Sequence, residues 1–156
     1  MRPAILALLI CVGAAVLEGA LAGRGVRARF DELRLPRFSP SLTVWFLIGG
    51  AYYIISFAIL YRLLATDPRS SLHTVAIVLL LVLMAVNGAW GFVFFRLKNL
   101  RASFLAFVPY GVIALVLVVM LAITDRSSAL LLAPYLAYLG YALWWSHRVW
   151  VLNTRS

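Results

Sequence analysis

Apolar residues run through the chain in five long stretches separated by short polar segments. The stretches cover residues 4–23, 42–64, 72–95, 104–123 and 129–152. Each has the roughly 20 residues needed to cross a hydrocarbon core of about 30 Å. The two-residue alternation of membrane strands is absent, and an open sheet in lipid would leave backbone groups unpaired. The pattern therefore predicts an all-α integral membrane protein, a bundle of five transmembrane helices that forms one domain over residues 1–156.

The polar segments predict the connections between these helices. Asp67-Pro68 and residues 124–128 are typical of tight turns. Residues 24–41 form the only long connection, which carries Pro36 and Pro40 among charged and apolar residues. We expect this connection to pack over the mouth of the bundle.

Composition agrees with a membrane protein. The chain is 65% hydrophobic and 12% charged, with a mean hydropathy of +1.01, whereas soluble domains are about 45–50% apolar and about 25% charged. The net charge of +9 fits basic membrane loops better than nucleic-acid binding, which we do not expect. A single cysteine, Cys11, excludes a disulfide framework.

The basic residues also predict the orientation of the helices. Four of the 14 Lys and Arg residues fall on the side of the N-terminus: Arg2, Arg62, Arg69 and Arg126. The others fall on the opposite side: Arg24, Arg27, Arg29, Arg34, Arg37, Arg96, Lys98, Arg101, Arg148 and Arg155. Because cytoplasmic loops are enriched in Lys and Arg, the N-terminus is predicted outside and the C-terminus in the cytoplasm.

The first stretch has a second interpretation. Arg2, the apolar run and Ala20-Leu21-Ala22 imitate a cleavable signal peptide. Glu18 just before that site, and the strongly basic N-terminus that cleavage would leave, argue against it. We interpret the stretch as the first helix.

Two of the polar residues inside the apolar stretches are candidates for a functional role. Glu18 is either a ligand or proton contact or, as we favour, the partner of Arg24. Asn87 either bonds to a neighbouring helix or points at a ligand. Trp90 and Phe94 follow it at three and seven residues, so these three side chains share one helix face.

Two stripes at helical spacing carry aromatic residues. They are Trp45, Gly49 and Tyr53 in the second helix, and Tyr138, Ala142 and Trp145 in the fifth. An interfacial aromatic belt explains Trp45 and Trp145, but it explains Tyr53 and Tyr138 poorly because both lie near mid-bilayer. Gly49, Asn87 and Ala142 share a depth of roughly 10–15 Å from the cytoplasmic ends. The sequence thus predicts a cavity open to the cytoplasmic leaflet and roofed by residues 36–40, suited to a flat, largely apolar ligand.

No catalytic constellation is evident in the sequence. His73 and His147 are predicted at opposite membrane faces and cannot share a metal, and His147 as an axial haem ligand is the weaker interpretation of an interfacial histidine. Residues 19–23 and 85–89 have the spacing of small residues that lets helices approach closely, which permits a dimer.

Several motifs give the chain a family resemblance. They are Pro36-x-x-x-Pro40, Tyr53, Asn87-x-x-Trp90 followed by Phe94-Phe95 and a basic turn, Pro134-Tyr135-Leu136, and Asn153. With these motifs the chain resembles the TspO and peripheral benzodiazepine receptor family, also called translocator proteins or tryptophan-rich sensory proteins. The resemblance implies a five-helix bundle, often a homodimer, that binds porphyrins, haem precursors, sterols or benzodiazepine-type ligands. The matching site residues would be Pro40, Tyr53, Asn87 and Trp90, with Gly49, Tyr138 and Ala142 by alignment.

Two departures from the family pattern bear on chemistry. Gly49 and Tyr138 stand where the family usually has the two tryptophans tied to light-dependent porphyrin breakdown. We therefore expect a binding protein without an obligatory cofactor rather than an enzyme, acting as sensor, regulator or carrier in a bacterial cell membrane. The alternative is a small-molecule permease or channel subunit with no porphyrin link.

Overall fold

The computed structural model describes residues 2–66 and 71–154. Its elements are α1 (Pro3–Ala22), α2 (Val26–Glu32), α3 (Leu42–Ala65), α4 (Ser71–Gly91), a π-helical turn (Phe92–Arg96), α5 (Leu100–Thr124) and α6 (Arg126–Thr154). Within these described residues, five helices, with α4 and its π turn counted together, are long and apolar enough to cross a membrane. This confirms the predicted all-α membrane bundle. The Asp67-Pro68 turn, Arg69 and Arg155 lie outside the described residues.

The five long helices form a ring. Helix α1 packs against α3 and α4, α4 against α5, α5 against α6, and α6 against α3. Inside the ring, Ile59, Leu80 and Leu117 are inaccessible to solvent, whereas Ile54 and Leu130 point outward and are exposed. Exposed apolar surface on this scale is rare in soluble proteins, whereas in a membrane protein it lies against the lipid chains.

The two ends of the bundle differ. We call the end where α1 and α4 finish and α3 and α5 begin the loop end, because it carries the long connection. There, α3 begins at Ser41, whose side chain accepts a hydrogen bond from Val44 N at 3.4 Å, and α5 begins at Asn99, whose side chain accepts one from Ala102 N at 2.9 Å. Helix α1 ends at Gly23 with φ +78°, a conformation that glycine adopts without steric cost.

The long connection, which the sequence predicts only as a packed loop, contains a helix. Helix α2 buries Phe30, and the residue that follows the helix, Leu33, is buried as well. Its polar side contacts the turn before α5, because Glu32 of α2 lies 3.3 Å from Lys98 of that turn. Within α2, Arg29 also lies 3.3 Å from Glu32. The Lys98 ammonium, and then the Arg29 guanidinium, lower the pKa of Glu32. The expectation that the connection packs over the bundle is thus met by a helix.

The predicted turn at residues 124–128 was wrong in length. Only Asp125 separates α5 from α6. Its carbonyl accepts the hydrogen bond of Ala129 N at 3.1 Å, and its carboxylate accepts one from Ser128 Oγ at 2.6 Å, so one residue both ends α5 and begins α6. The same carboxylate pairs with Arg62 of α3 through two contacts of 2.7 and 2.8 Å.

We expect Asp125→Asn to lower the free energy of unfolding by about 1 kcal/mol at pH 7, since Arg62 is 45% exposed and solvent screens the pair. The Arg62 guanidinium holds the pKa of Asp125 well below its usual range. A carboxyl whose folded pKa is depressed stabilises the fold fully above about pH 5, and this contribution declines as the pH falls below the ordinary value of about 4. Thermal unfolding in detergent at pH 7 and at pH 2.5 measures the difference between the two proteins, which should shrink at the lower pH. Asp31→Asn, at an exposed acid of α2, is the control, and a difference that does not depend on pH would contradict the role of the pair.

Candidate functional site

A cavity of about 560 Å³ opens at the loop end of the ring. Its walls come from the final turns of α1 and α4, the first half of α3, and the inner face of α6, and α2 contributes Phe30. Eight of the ten predicted site residues line it: Trp45, Gly49, Tyr53, Asn87, Trp90, Phe94, Tyr138 and Trp145. The sequence therefore placed the cavity at the correct end of the bundle.

Two predicted site residues do not line the cavity. Ala142 is buried in the helix core: it lies on the same face of α6 as Tyr138 and Trp145, whose longer side chains reach the cavity, whereas its methyl group does not. Pro40 precedes the first turn of α3 and contributes no lining. The predicted roof of residues 36–40 was also wrong, since the connection reaches the cavity through Gly23, Val26 and Phe30.

The polar end of the cavity is built around Glu18. Its Oε2 accepts a hydrogen bond from Tyr53 Oη at 2.6 Å and another from Asn87 Nδ2 at 2.7 Å. Helices α1, α3 and α4 are thereby joined at one carboxylate. The favoured pairing of Glu18 with Arg24 was wrong: Arg24 follows the left-handed turn at Gly23 and is exposed beyond the end of the helix.

Asn87 extends this network into the bundle. Its Oδ1 accepts a hydrogen bond from Tyr110 Oη at 2.9 Å, and Tyr110 Oη lies 2.5 Å from Tyr135 Oη. The interpretation of Asn87 as a contact between helices is confirmed, since its side chain bonds to α1 and α5. The same side chain lines the cavity, and its contact with a ligand stays a prediction. Glu18, Tyr53, Asn87, Tyr110 and Tyr135 thus form one chain of hydrogen bonds that includes all five long helices.

Aromatic rings form the rest of the wall. Trp45 and Trp145 have ring centroids 4.9 Å apart, and Tyr138 lies 6.1 Å from Trp45. Trp90 stacks on Phe94 at 5.0 Å. Trp45 and Trp145 therefore belong to the cavity and are not members of a lipid-facing belt. These rings give the cavity an aromatic wall against which a flat ligand can stack.

The long connection is fixed to α6 beside the cavity. Trp145 Nε1 donates a hydrogen bond to Ser39 Oγ at 2.8 Å, and Tyr141 Oη donates one to the Phe38 carbonyl at 2.8 Å. Farther along α6, Asn153 Oδ1 accepts from Arg34 N and Asn153 Nδ2 donates to Arg34 O, both at 3.0 Å. Asn153, a residue of the family motifs, thus attaches the backbone of the long connection to α6.

Several contributors were not among the predicted site residues: Glu18, Phe30, Tyr52, Tyr110 and Tyr135. The tyrosines had a usable signal, because a tyrosine deep in an apolar helix needs a partner for its hydroxyl. Tyr110 lies about ten residues into α5, a position that meets this condition. Phe30 had no such signal, since its role depends on the fold of α2.

Small residues bring α1 and α4 together beside the site. A Cβ added at Gly88 would lie 3.6 Å from Leu21 Cδ1 and 3.8 Å from Glu18 Cα. The two small-residue segments expected to permit a dimer, residues 19–23 and 85–89, therefore contact each other within the chain. The histidine considered as a haem ligand, His147, is exposed near Phe104 and Trp150 and does not line the cavity.

Comparison with known proteins agrees with the motifs. A family model described as the TspO/MBR family matches residues 6–151. No curated protein matches the chain. Because the match extends over nearly all of the chain, including every long helix and the cavity, the chain belongs to the TspO/MBR family.

Proposed function

We propose that this protein binds a porphyrin or another flat hydrophobic ligand, of sterol-like or benzodiazepine-type shape, in the loop-end cavity, and acts as a sensor, regulator or carrier. The observation that carries the proposal is the cavity itself. Its 560 Å³ volume falls within the roughly 300–1,000 Å³ of ligand sites, and its wall is mainly aromatic with few polar groups, as ligand sites generally are.

The packing below the cavity favours a binding site over a permease or channel. Beneath Tyr52 and Tyr135 the ring is filled by side chains without solvent access, among them Ile59, Leu80 and Leu132. A water-filled path through the bundle would need polar lining at this depth. Within the described residues the cavity ends where this core begins.

The proposal is binding without chemistry on the ligand. Gly49 and Tyr138 line the cavity at the positions where the family resemblance places reactive tryptophans. Gly49 has open space where a Cβ would stand, so its absence of a side chain enlarges the cavity. We propose no obligatory cofactor, and haem or porphyrin enters only as a ligand.

We further propose the arrangement in the membrane. The excess of basic residues at the loop end favours a cytoplasmic cavity mouth, with the N-terminus outside, in a bacterial cell membrane. A homodimer is proposed on the family resemblance alone.

Titration with protoporphyrin tests the site. We expect saturable quenching of tryptophan fluorescence in the purified protein, and about tenfold weaker binding for Asn87→Ala, which removes one donor to Glu18 and the acceptor of Tyr110. Trp90→Ala should weaken binding similarly, because it removes a ring from the wall. Because Trp90 is itself a fluorophore, its variant is followed by the porphyrin absorbance shift.

Trp144→Ala is the matched control for this titration. Trp144 is 42% exposed and does not line the cavity, so its removal should leave the affinity unchanged. Unchanged affinity in both Asn87→Ala and Trp90→Ala would rule out the proposed site.

A further inference from the structure

The charge of the cavity lining is of one sign. Glu18 is the single ionisable acid among the lining residues that the structure describes, and none of these residues is Lys, Arg or His. The basic side chains of this end lie outside the lining, such as Arg96 against Gly23 and Arg24 beyond α1. A ligand that enters the cavity therefore meets a negative interior behind a positive rim.

The Glu18 carboxylate has one oxygen left for a ligand. Both protein hydrogen bonds go to Oε2, and among the described residues no hydrogen bond or ion pair reaches Oε1. The two donors fix the orientation of the carboxylate. A carboxylate within a membrane helix is costly unless it is paired. Neither Tyr53 nor Asn87 supplies the positive charge that would complete the pair.

Four tyrosines continue from Glu18 around the wall. Tyr53, its hydrogen-bond partner, has its ring 5.2 Å from that of Tyr52, which lies 4.9 Å from Tyr135, which in turn lies 5.3 Å from Tyr138. All four line the cavity. Aromatic rings arranged around a carboxylate attract a cationic nitrogen through both charge and ring quadrupole. They offer no comparable attraction to an anion.

We infer that the cavity selects flat aromatic ligands that carry a positively charged nitrogen, and that this nitrogen is seated against Glu18 Oε1. The inference rests on the proposed function and deepens it, because it names the charge of the ligand group at the polar end. Acidic groups of a ligand would be held at the basic rim, outside the lining. The shape and apolar surface of a ligand then determine whether it fits the cavity, and Glu18 determines that cationic ligands bind more tightly than neutral or anionic ones of the same shape.

Three probes of one shape and different charge test this inference. They are 1-naphthylmethylamine, which is a cation at pH 7, the neutral 1-naphthylmethanol, and the anionic 1-naphthoate, titrated calorimetrically into the full-length protein in zwitterionic nanodiscs. We expect the amine to bind at least tenfold more tightly than the alcohol, and the naphthoate to bind most weakly. Equal affinities for the amine and the naphthoate would overturn the inference without any substitution.

The substitution Glu18→Gln tests whether Glu18 causes the preference for the cationic amine. The glutamine keeps an oxygen that can accept from Tyr53 and Asn87 but carries no charge, so the amine should fall to the affinity of the alcohol, whose own affinity should not change. Asp31→Asn removes the same unit of charge from the exposed face of α2 and should leave the tenfold preference intact. A preference that persists in Glu18→Gln would overturn the role of Glu18.

Failure of the inference and failure of the proposed function are separate results. If neither protoporphyrin nor 1-naphthylmethanol binds saturably, the proposed function fails. If protoporphyrin and 1-naphthylmethanol both bind saturably but the affinities of the three probes do not depend on their charge, only the inference fails.

Discussion

Replacing Trp145 by alanine is expected to lower the free energy of unfolding by about 3–5 kcal/mol, the usual cost of truncating a buried tryptophan. Trp145 is 2% exposed and is surrounded by rings from three other parts of the chain. Its centroid lies 4.9 Å from that of Trp45, 5.7 Å from that of Phe94 and 6.3 Å from that of Phe30. Thermal or chemical unfolding in detergent measures the loss.

The same substitution should release the long connection. Trp145 Nε1 donates to Ser39 Oγ at 2.8 Å, and Phe30 of α2 stacks on its ring. Without the ring, two attachments of residues 24–41 are lost together. We therefore expect faster tryptic cleavage after Arg34 or Arg37 under conditions where the helices stay folded, because cleavage reports the local opening of the segment.

Trp144 gives a control of the same residue type one position away. It is 42% exposed on the outer surface of α6, and Trp144→Ala should cost less than about 1 kcal/mol and leave the cleavage rate unchanged. If Trp144→Ala and Trp145→Ala destabilised the protein equally, the assignment of Trp145 to the inward face of α6 and of Trp144 to its outward face would be contradicted.

Axial position along each helix was predictable from the sequence, whereas rotation about the helix axis was not. Distance from a helix end follows from residue count, so Gly49 and Asn87 were correctly placed at the depth of the cavity. Rotation is normally indicated by a polar face, and helices that are apolar all around lack one. Trp45 and Trp145, which an interfacial belt could also explain, instead face the cavity, because the packing of α3 and α6 in the ring sets their direction.

Partners of polar groups were harder to predict than the groups themselves. Glu18 was recognisable as an unusual residue in an apolar helix, and its nearest basic residue in sequence was Arg24. The turn at Gly23 leads Arg24 away from the bundle, and the partners prove to be Tyr53 and Asn87, which lie 35 and 69 residues away in sequence. Only the ring order of the helices brings such residues together.

Gly88→Leu is the second substitution with a large expected effect, because α1 and α4 meet at this residue. A Cβ at Gly88 would stand 3.6 Å from Leu21 and 3.8 Å from the backbone of Glu18, which is ordinary contact. Gly88→Ala should therefore change stability by less than about 1 kcal/mol, whereas the further carbons of leucine have no space and should cost about 1–3 kcal/mol. Unfolding in detergent distinguishes the two.

We expect Gly88→Leu to reduce protoporphyrin affinity more strongly than it reduces the free energy of unfolding. To accommodate leucine, α1 has to move away from α4, and Glu18 moves with it. The 2.7 Å hydrogen bond from Asn87 to Glu18 spans this same interface and cannot survive a displacement of an ångström or more. We expect protoporphyrin affinity to fall at least tenfold, while Gly88→Ala retains it.

Gly111→Leu on α5 controls for the added bulk, since no described atom outside the adjoining backbone of α5 and its two chain neighbours lies within 4 Å of its Cβ position. It should leave both unfolding and protoporphyrin affinity close to those of the original protein. If Gly88→Leu behaves like Gly111→Leu, close approach of α1 and α4 is not what positions Glu18. A loss of affinity in Gly88→Leu alone would link the small residue at the helix contact to the carboxylate in the cavity, so that one packing interaction supports both the fold and the site.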